Sequence, residues 1–309
     1  MSALVLRFSS LGDVVLAAGV TAALGDVVFG TSAALAPLVE RFEGVRAVVA
    51  LTPGESPWSF ARRLPPVDRV IDLQGSLRSY AVCMLVNQPT TRIAKHGLRR
   101  RARVALKVAP PPLNVAERYA EAAGVRLGPT PWMRRGPIAQ SGAVALAPGA
   151  AHLTKRWPEA RWVALARGAQ GPVVLLGGEA EAPLLARIAE ASGRDDLSLI
   201  AERGFERTLL TLERCRALVA NDSGLMHLAG ALGVPVVGLF GPTTPEDGFW
   251  VWAGQGTALG VELPCRPCAR FGGPRCPIGD HACMEELGVE GVLAALGEIC
   301  SAGAGSRPR

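Results

Sequence analysis

Short apolar segments alternate with helix patterns along the whole 309-residue chain, and the series occurs twice. The first half contains five predicted strands, at residues 4–8, 26–31, 46–52, 69–74 and 91–96. The second half contains five more, at residues 143–149, 172–178, 197–202, 217–222 and 235–241. Short buried strands separated by helices are typical of parallel sheets covered on both faces. We therefore predict an α/β fold with two Rossmann-like domains, residues 1–140 and 141–309, joined by a Pro- and Gly-rich segment.

Charge differs between these two halves. Residues 1–140 contain 18 Lys/Arg and 9 Asp/Glu, a net +9, whereas residues 141–309 contain 15 and 18, a net −3. The densest basic cluster is "KHGLRRRARVALK", with Arg99, Arg101 and Arg103. Such a cluster is either a solvated helix face or a surface for an anionic glycolipid or a membrane. Because no aromatic residue interleaves with these arginines, we do not predict a nucleic-acid site.

Membrane and export signals are missing from the sequence. No apolar run of the length of a membrane-spanning helix lacks a charge or a turn signal, and "MSALVLRFSS" lacks the layout of a signal peptide. We therefore expect a cytoplasmic protein, and the basic cluster leaves peripheral contact with a membrane face as an open alternative.

Polar residues follow several predicted strands at the point where the strand ends. In open α/β sheets ligands bind outside the carboxyl ends of the strands, so these turns are the candidate binding sites. Ser10, Gly12 and Asp13 occupy the turn "SSLGDV" after the first strand. The other candidate turns are "PGAAHLTKRWP", "GGEAE" and "NDSG" in the second half.

The segment "NDSGLMHLAG" has the features of an anion site. Asp222, Ser223 and Gly224 stand where a strand ends and a helix begins, and free N–H groups at a helix N-terminus favour an anion. His227 lies one turn further along the same helix face. Asp222 would cap the helix or bind a sugar or ribose hydroxyl. The alternative is that these residues form only a helix cap with a partly buried histidine.

Thr154 and Lys155 strengthen the prediction of a phosphate site. They follow a Pro-Gly turn after a strand, where a lysine supplies a compact positive charge for a diphosphate. Neither GxxxxGK[ST] nor GxGxxG occurs, so the chain has no P-loop and no dinucleotide fingerprint.

Four cysteines are concentrated in residues 265–283, "CRPCARFGGPRCPIGDHAC". Cys265, Cys268, Cys276 and Cys283 have a spacing compatible with a structural zinc site. Reduced thiols or a redox-sensitive loop are the alternatives, because disulfides are disfavoured in the cytosol.

Together, "LRFSSLGDVVLA", "DLQGSLRS", "PGAAHLTKRWP", "LLGGEAE" and "NDSGLMHLAGALGVPVVGLFGPTTP" resemble the ADP-heptose:lipopolysaccharide heptosyltransferases of glycosyltransferase family 9. The resemblance implies a GT-B fold, in which two Rossmann-like domains face each other across a cleft. It also implies that the N-terminal domain holds the acceptor and that the C-terminal domain holds the nucleotide sugar. After the cysteine-rich loop, the residue pattern of Glu285 to Cys300 predicts a pair of helices interrupted by glycines.

The resemblance further implies roles for single residues. Asp13 becomes the general base of an inverting transfer, and Glu181, or alternatively Glu179, lies near the ribose of the nucleotide. Gln74 and Arg78 match the acceptor-side motif, and Arg99 and Arg101 suit an anionic acceptor. Lys155, Thr154 and the Ser223–Gly224 amides would offset the charge on the departing diphosphate, so that transfer requires no metal cofactor.

The expected activity is therefore transfer of a heptose from ADP-L-glycero-D-manno-heptose to a lipopolysaccharide inner-core or related glycan acceptor. Two alternatives stay open. One is a GT-B enzyme that uses another nucleotide sugar, either a transferase or an epimerase, and the other is a noncatalytic GT-B-like module.

Overall fold

The computed structural model describes residues 1–95, 97–107, 114–136, 141–250 and 255–305, with the backbone alone for residues 98–100 and 303–305. The chain forms two compact units. Unit 1 consists of Met1–Lys95 and Leu113–Arg135, and unit 2 consists of His96–Pro112 and Gly136–Arg309.

Unit 1 contains a five-stranded parallel sheet. Its strands are β1 (Ala3–Leu6), β2 (Val27–Ser32), β3 (Val45–Leu51), β4 (Arg69–Asp72) and β5 (Thr90–Arg92), in the order β3-β2-β1-β4-β5. In the central strand, Leu4 pairs with Val28 on one side and Val70 on the other. All three side chains are fully buried, as expected for a parallel sheet covered on both faces.

Unit 2 contains a six-stranded parallel sheet. Its strands are β6 (Val144–Ala147), β7 (Val173–Gly178), β8 (Leu197–Glu202), β9 (Ala217–Asn221), β10 (Val236–Leu239) and β11 (Gly256–Leu259), in the order β11-β10-β9-β6-β7-β8. The core on one side of this sheet includes Trp157 and Trp162, whose rings meet edge to face at a centroid distance of 5.3 Å.

Helices connect these strands. In unit 1 they are α1 (Leu11–Leu16), α2 (Ala18–Leu24), α3 (Ala36–Val39), α4 (Pro57–Arg62), α5 (Leu77–Val86) and α7 (Val115–Ala123); α6 (Gly97–Leu106) groups with unit 2. The others in unit 2 are α8 (Glu159–Gly168), α9 (Ala182–Ser192), α10 (Glu206–Arg214), α11 (Gly224–Ala231), α12 (Ala282–Glu285) and α13 (Val289–Gly305). Within the described residues, no helix combines the length and the apolar character needed to cross a bilayer.

The strand predictions are confirmed for all ten segments, with ends that differ by a few residues. Strand β11 was missed. The predicted pair of helices in residues 285–300 is met in part, since α12 ends at Glu285 and α13 begins at Val289 beyond Gly288, but no break follows at the later glycines. Instead α13 continues through Gly291 and Gly297, because Val292 and Leu296 are buried against the unit 2 core and anchor the helix.

Candidate functional site

Both sheets have a topological switch point, the place where successive strands are added on opposite sides of a central strand. In unit 1 this point lies between β1 and β4, and in unit 2 it lies between β6 and β9. Ligands of open α/β sheets bind at this point, beyond the carboxyl ends of the strands. The predicted residues are concentrated at these two places, which we call the Asp13 site and the Lys155 site.

At the Asp13 site one carboxylate receives several donors. Asp13 lies in the first turn of α1, where its Oδ2 is 2.7 Å from an Arg7 guanidinium nitrogen and accepts from the Ser10 hydroxyl at 2.8 Å. The Tyr119 hydroxyl donates to Oδ1 at 3.2 Å. The Asp13 side chain is 22% exposed. Within the described part of the chain Oδ1 therefore has a single protein donor, and it retains capacity for a further one from solvent or a ligand.

Asp13 is held in its ionised form. Burial alone raises the pKa of this carboxyl, but the charge of Arg7 and the hydrogen bonds from Ser10 and Arg7 outweigh burial and lower the pKa below its ordinary value. Burial and the neighbouring Asp13 charge raise the pKa of Tyr119, so its hydroxyl stays protonated and remains a donor. The Asp13 site thus presents a carboxylate at neutral pH.

Gln74 is brought to the Asp13 site by the turn after β4. Asp72, fully buried, accepts from the backbone N–H groups of Gln74 and Gly75 at 3.0 and 2.8 Å and from the Ser79 hydroxyl at 3.0 Å. Gln74 Oε1 then accepts from the backbone N–H of Phe8 at 2.9 Å, immediately after β1. This contact fastens the two strands of the switch point together.

The remaining predicted acceptor residues occupy other places. Gly12 lies in α1, and Arg78 is exposed in the first turn of α5. Arg101 is exposed on α6, which groups with unit 2, and the side chain of Arg99 lies outside the described residues. Their predicted contact with an acceptor stays a prediction.

The Lys155 site is built on a buried ion pair. Lys155 Nζ lies 2.5 Å from Asp222 Oδ2, and the two side chains are 10% and 4% exposed. The Thr243 hydroxyl donates to the same oxygen at 2.7 Å. Asn221, which precedes Asp222, bonds to the segment that carries Lys155. Its Oδ1 accepts from the backbone N–H of Trp157 at 3.2 Å, and its Nδ2 donates to the Pro148 carbonyl at 2.8 Å.

Asp222 is ionised as well. Burial raises the pKa of Asp222, but the Lys155 charge, hydrogen bonds from Lys155 and Thr243, and the nearby His227 together lower it. His227 is buried on α11, with its ring 6.4 Å from that of Phe249. The Lys155 ammonium donates one of its three N–H groups to Asp222, so two N–H groups can donate to a ligand.

Ser223 precedes α11 as its N-cap, and Gly224 is the first residue of the helix. The Ser223 Oγ is buried and has no hydrogen-bond partner among the residues that the structure describes. A buried hydroxyl without a partner is costly, and here it stands beside the free N–H groups of a helix start. The orphaned hydroxyl and the helix N-terminus suit the oxygen atoms of an anion.

Glu181 reaches the same edge of the unit 2 sheet. Its Oε2 accepts from the Gly178 N–H at 2.8 Å, and a Cβ added to Gly149 would stand only 1.6 Å from its Oε1. A glycine at position 149 therefore makes room for this carboxylate. Glu179 instead pairs with the exposed Arg203, which favours Glu181 over Glu179 as the residue of the site.

Thr154 fastens the cysteine-rich loop to the Lys155 site. Its hydroxyl accepts from the Gly273 N–H at 2.8 Å and donates to the Gly273 carbonyl at 3.1 Å. A ring nitrogen of His281 lies 2.7 Å from the Thr154 carbonyl oxygen. The hydroxyl predicted to contact phosphate is thus engaged in positioning the loop.

The predicted structural zinc site is not supported. Among the described residues, which include Cys265, Cys268, Cys276 and Cys283, no group of three or more His, Cys, Asp or Glu side chains is arranged to hold a metal ion. Cys283 is instead buried in the unit 2 core, and the Cys276 thiol points to Asp280 at 3.9 Å. Burial and the nearby cysteines raise the pKa of Cys283 to about 11, so it is a thiol at neutral pH.

Three residues of these sites were missed in the sequence. Arg7 carries a charge directly after an apolar strand, and Thr243 follows β10 in "GPTTP", so both had a local signal. Tyr119 had none, because it stands 106 positions from Asp13 and meets it only through the packing of α7 against α1.

Comparison with known proteins agrees with this geometry. The profile of glycosyltransferase family 9 (heptosyltransferase) matches residues 116–274. Lipopolysaccharide heptosyltransferase 1 of Pseudomonas aeruginosa is 39% identical over 127 residues, which are 40% of this chain. The matched part spans 35% of the length of that relative.

Solved structures share the fold of the whole chain. The E. coli ADP-heptose LPS heptosyltransferase II matches with a TM-score of 0.73 at 21% identity, over 98% of this chain and 100% of that one. The E. coli heptosyltransferase WaaC, solved with ADP, matches with a TM-score of 0.69 at 19% identity, over 97% and 100%. The predicted GT-B class is confirmed, and the chain belongs to glycosyltransferase family 9, the heptosyltransferase family.

Proposed function

We propose that this protein is an inverting, metal-independent glycosyltransferase that moves a heptose from ADP-L-glycero-D-manno-heptose to a lipopolysaccharide inner-core or related glycan acceptor. The observation that carries the proposal is the Lys155 site, where a buried lysine with two spare donors lies near an orphaned hydroxyl at a helix start. The related E. coli WaaC was solved with ADP, which is the product that such a donor leaves behind.

The donor would bind at the Lys155 site through its diphosphate. Lys155, the Ser223 hydroxyl and the first N–H groups of α11 would meet the negative charge that grows on the leaving diphosphate. Glu181 would accept from a ribose hydroxyl, and Asp222 would keep the Lys155 ammonium in place. Because lysine and helix dipole supply the positive charge, the reaction as proposed requires no metal.

Asp13 would act as the general base. Its Oδ1, which has only Tyr119 as a protein donor, would accept the proton of the acceptor hydroxyl as that oxygen attacks the anomeric carbon. Attack opposite the leaving diphosphate inverts the anomeric centre, through a transition state with oxocarbenium character. Ser10, Gly12, Gln74, Arg78, Arg99 and Arg101 are the proposed acceptor contacts.

The acceptor and the setting are proposed on the same basis. An anionic glycolipid or oligosaccharide suits the basic residues of the N-terminal half, and the enzyme would work in the cytoplasm at the inner face of the inner membrane. A transferase or epimerase with a different nucleotide sugar is the competing function, and nucleotide preference separates it from ours.

The first test is thermal stabilisation of the full-length protein by ADP, UDP, GDP and CDP, each with and without a chelator. A ligand that binds the folded state raises its apparent stability by mass action. We expect ADP to stabilise the protein most, to the same extent with and without chelator. A preference for UDP or GDP would overturn the heptose donor, and no response to any nucleotide would support a noncatalytic module.

A second prediction concerns the acid limb of the pH–rate profile. Asp13 acts as a base only when ionised, so activity falls as pH drops through its pKa. Arg7 lowers that pKa, and Arg118 and Tyr119 are the other titratable groups that face Asp13. Arg7→Gln removes the lowering charge, so we expect the acid limb of kcat/KM to move to higher pH.

Arg7→Lys is the matched control for this experiment, because it keeps the charge and should leave the acid limb near its wild-type position. Circular dichroism checks that both variants fold, since Arg7 also donates to the Leu73 carbonyl at 2.6 Å. An acid limb that is unchanged in Arg7→Gln would show that Asp13 does not set it.

A further inference from the structure

Helix α5 in unit 1 is apolar on two opposite faces. Val82 and Cys83 point into the unit 1 core. On the other side Leu77 and Met84 are 91% and 79% exposed, and Tyr80 lies between them on the same line of the helix. A helix that is apolar all round is normally covered on both sides. Within the described residues nothing covers the outer side of α5.

Helix α4 extends this surface, since α4 and α5 pack against each other. Trp58 on α4 is 57% exposed, and Leu85 on α5 is 46% exposed. We define the apolar face as Trp58, Leu77, Tyr80, Met84 and Leu85. Five large exposed apolar side chains on two helices that pack against each other are unusual on a solvated surface and typical of an interaction site.

Cations border the apolar face. The guanidinium of Arg62 lies 4.6 Å from the Trp58 ring centroid, and that of Arg92 lies 4.2 Å from the Tyr80 centroid. Residues 56–67 and 73–95, which carry these helices, contain no Asp or Glu. Arg92 is paired with Asp72, but Arg62 and Arg78 have no acidic partner among the residues that the structure describes.

The charge selects the partner. A second copy of the chain meeting the same face would offer no Asp or Glu from residues 56–67 and 73–95 to pair with Arg62 and Arg78, which is unfavourable. A bilayer with anionic headgroups suits the aromatic, aliphatic and cationic side chains of this surface. Tryptophan and tyrosine rings prefer the headgroup level, Leu77 and Met84 can enter the acyl boundary, and arginines meet lipid phosphates.

We propose that the apolar face docks unit 1 on an anionic membrane surface. The inference deepens the proposed function and rests on it in one respect, namely that the acceptor is a lipid-anchored glycan presented at that surface. Along the chain, Leu77 immediately precedes Arg78 and follows Gln74 by three positions, so docking would place these proposed acceptor contacts close to the lipid headgroups.

Vesicle flotation of the full-length protein tests the proposal without donor or acceptor. Wild type is expected to float with phosphatidylethanolamine–phosphatidylglycerol vesicles and not with phosphatidylcholine vesicles. The variant Leu77→Ser/Met84→Ser should bind about tenfold less or weaker still, because both apolar side chains are lost from the contact. Arg62→Gln should weaken binding and reduce its dependence on salt.

The control Leu210→Ser/Ile278→Ser removes two apolar side chains that are 39% and 60% exposed in unit 2, and should float like wild type. Equal flotation of the Leu77/Met84 variant and wild type, or no flotation of wild type, would overturn the proposal. So would light scattering that shows a wild-type dimer which the Leu77/Met84 variant dissociates, since the face would then be a self-interface.

The proposed function fails in a different readout. Stabilisation by ADP and transfer to a soluble, delipidated acceptor do not involve the apolar face, and we expect both to persist in the Leu77/Met84 variant. Their absence in wild type would contradict the proposed function and leave the flotation result intact.

Discussion

We expect Asp13→Asn to lower kcat for transfer by about a thousandfold or more, while the affinity for ADP stays at the wild-type value. General-base catalysis typically contributes between about a hundredfold and ten-thousandfold, and an amide cannot accept the proton of the attacking hydroxyl. Asn keeps the size of the side chain, and its one amide oxygen replaces one of the two carboxylate oxygens that accept from Ser10 and Tyr119. Steady-state transfer kinetics and ADP titration of the same preparation measure the two quantities.

Asp26→Asn is the matched control, because Asp26 also pairs with an arginine, Arg46, at 2.7 Å. It removes a carboxylate–guanidinium pair of unit 1 away from the Asp13 site and should leave kcat unchanged. Turnover retained in Asp13→Asn would remove Asp13 from the mechanism, and equal losses in both variants would point to a structural cause.

We expect Lys155→Met to lower the free energy of unfolding and to weaken donor binding. It leaves the carboxylate of Asp222, only 4% exposed, without its cation, and breaking a buried pair in this way costs about 3–5 kcal/mol. It also removes the ammonium proposed to hold the diphosphate, so ADP should no longer stabilise the protein. Denaturant unfolding with and without ADP measures both effects.

The double variant Lys155→Met/Asp222→Asn separates stability from binding. With both charges removed, most of the lost stability should return, whereas stabilisation by ADP should stay absent. Arg187→Gln, which breaks the exposed pair with Glu159 at 2.8 Å, serves as a control and should change little. Full ADP stabilisation of the double variant would show that Lys155 does not bind the diphosphate.

The pH dependence of stability follows from Asp222. Its pKa is lower in the folded protein than in the unfolded chain, so its contribution is fully present above the unfolded pKa. The contribution is lost as pH falls through the folded pKa. In Lys155→Met the buried Asp222 has lost the charge that lowers its pKa, so its protonation relieves that variant, and we expect the difference in unfolding free energy between wild type and variant to shrink as pH falls. Denaturant unfolding of both proteins over a range of pH measures this difference.

The sequence predicts the strands well because a buried parallel strand is a short, nearly continuous apolar run. It fails for β11, whose residues Gly256–Leu259 are only partly buried at the edge of the sheet and lack such a run. It predicts glycine breaks within α13 because glycine has a low helix propensity, but the packing of this helix against the unit 2 core outweighs that preference. Asp13, Lys155 and Ser223 could be selected as candidate site residues because each lies in a polar turn that directly follows an apolar strand in the sequence.

Long-range contacts set the limit of such predictions. Tyr119 reaches Asp13, and Thr243 reaches Asp222, only after the elements have packed. The same applies to charge. The net charge of +9 was counted over residues 1–140 of the sequence, but some of these cationic residues lie on α6, which groups with unit 2. There Arg103 pairs with Asp247 at 2.9 Å.

The grouping of His96–Pro112 with unit 2 has a consequence for dissection of the enzyme. The backbone passes from one unit to the other at residues 95–96, 112–113 and 135–136, so three peptide connections join the two units. A protease that cuts one of them leaves two, and neither unit corresponds to a continuous gene fragment. A fragment ending near residue 140 would carry α6 without Asp247, and would expose the Arg103 guanidinium that the intact chain pairs with that carboxylate.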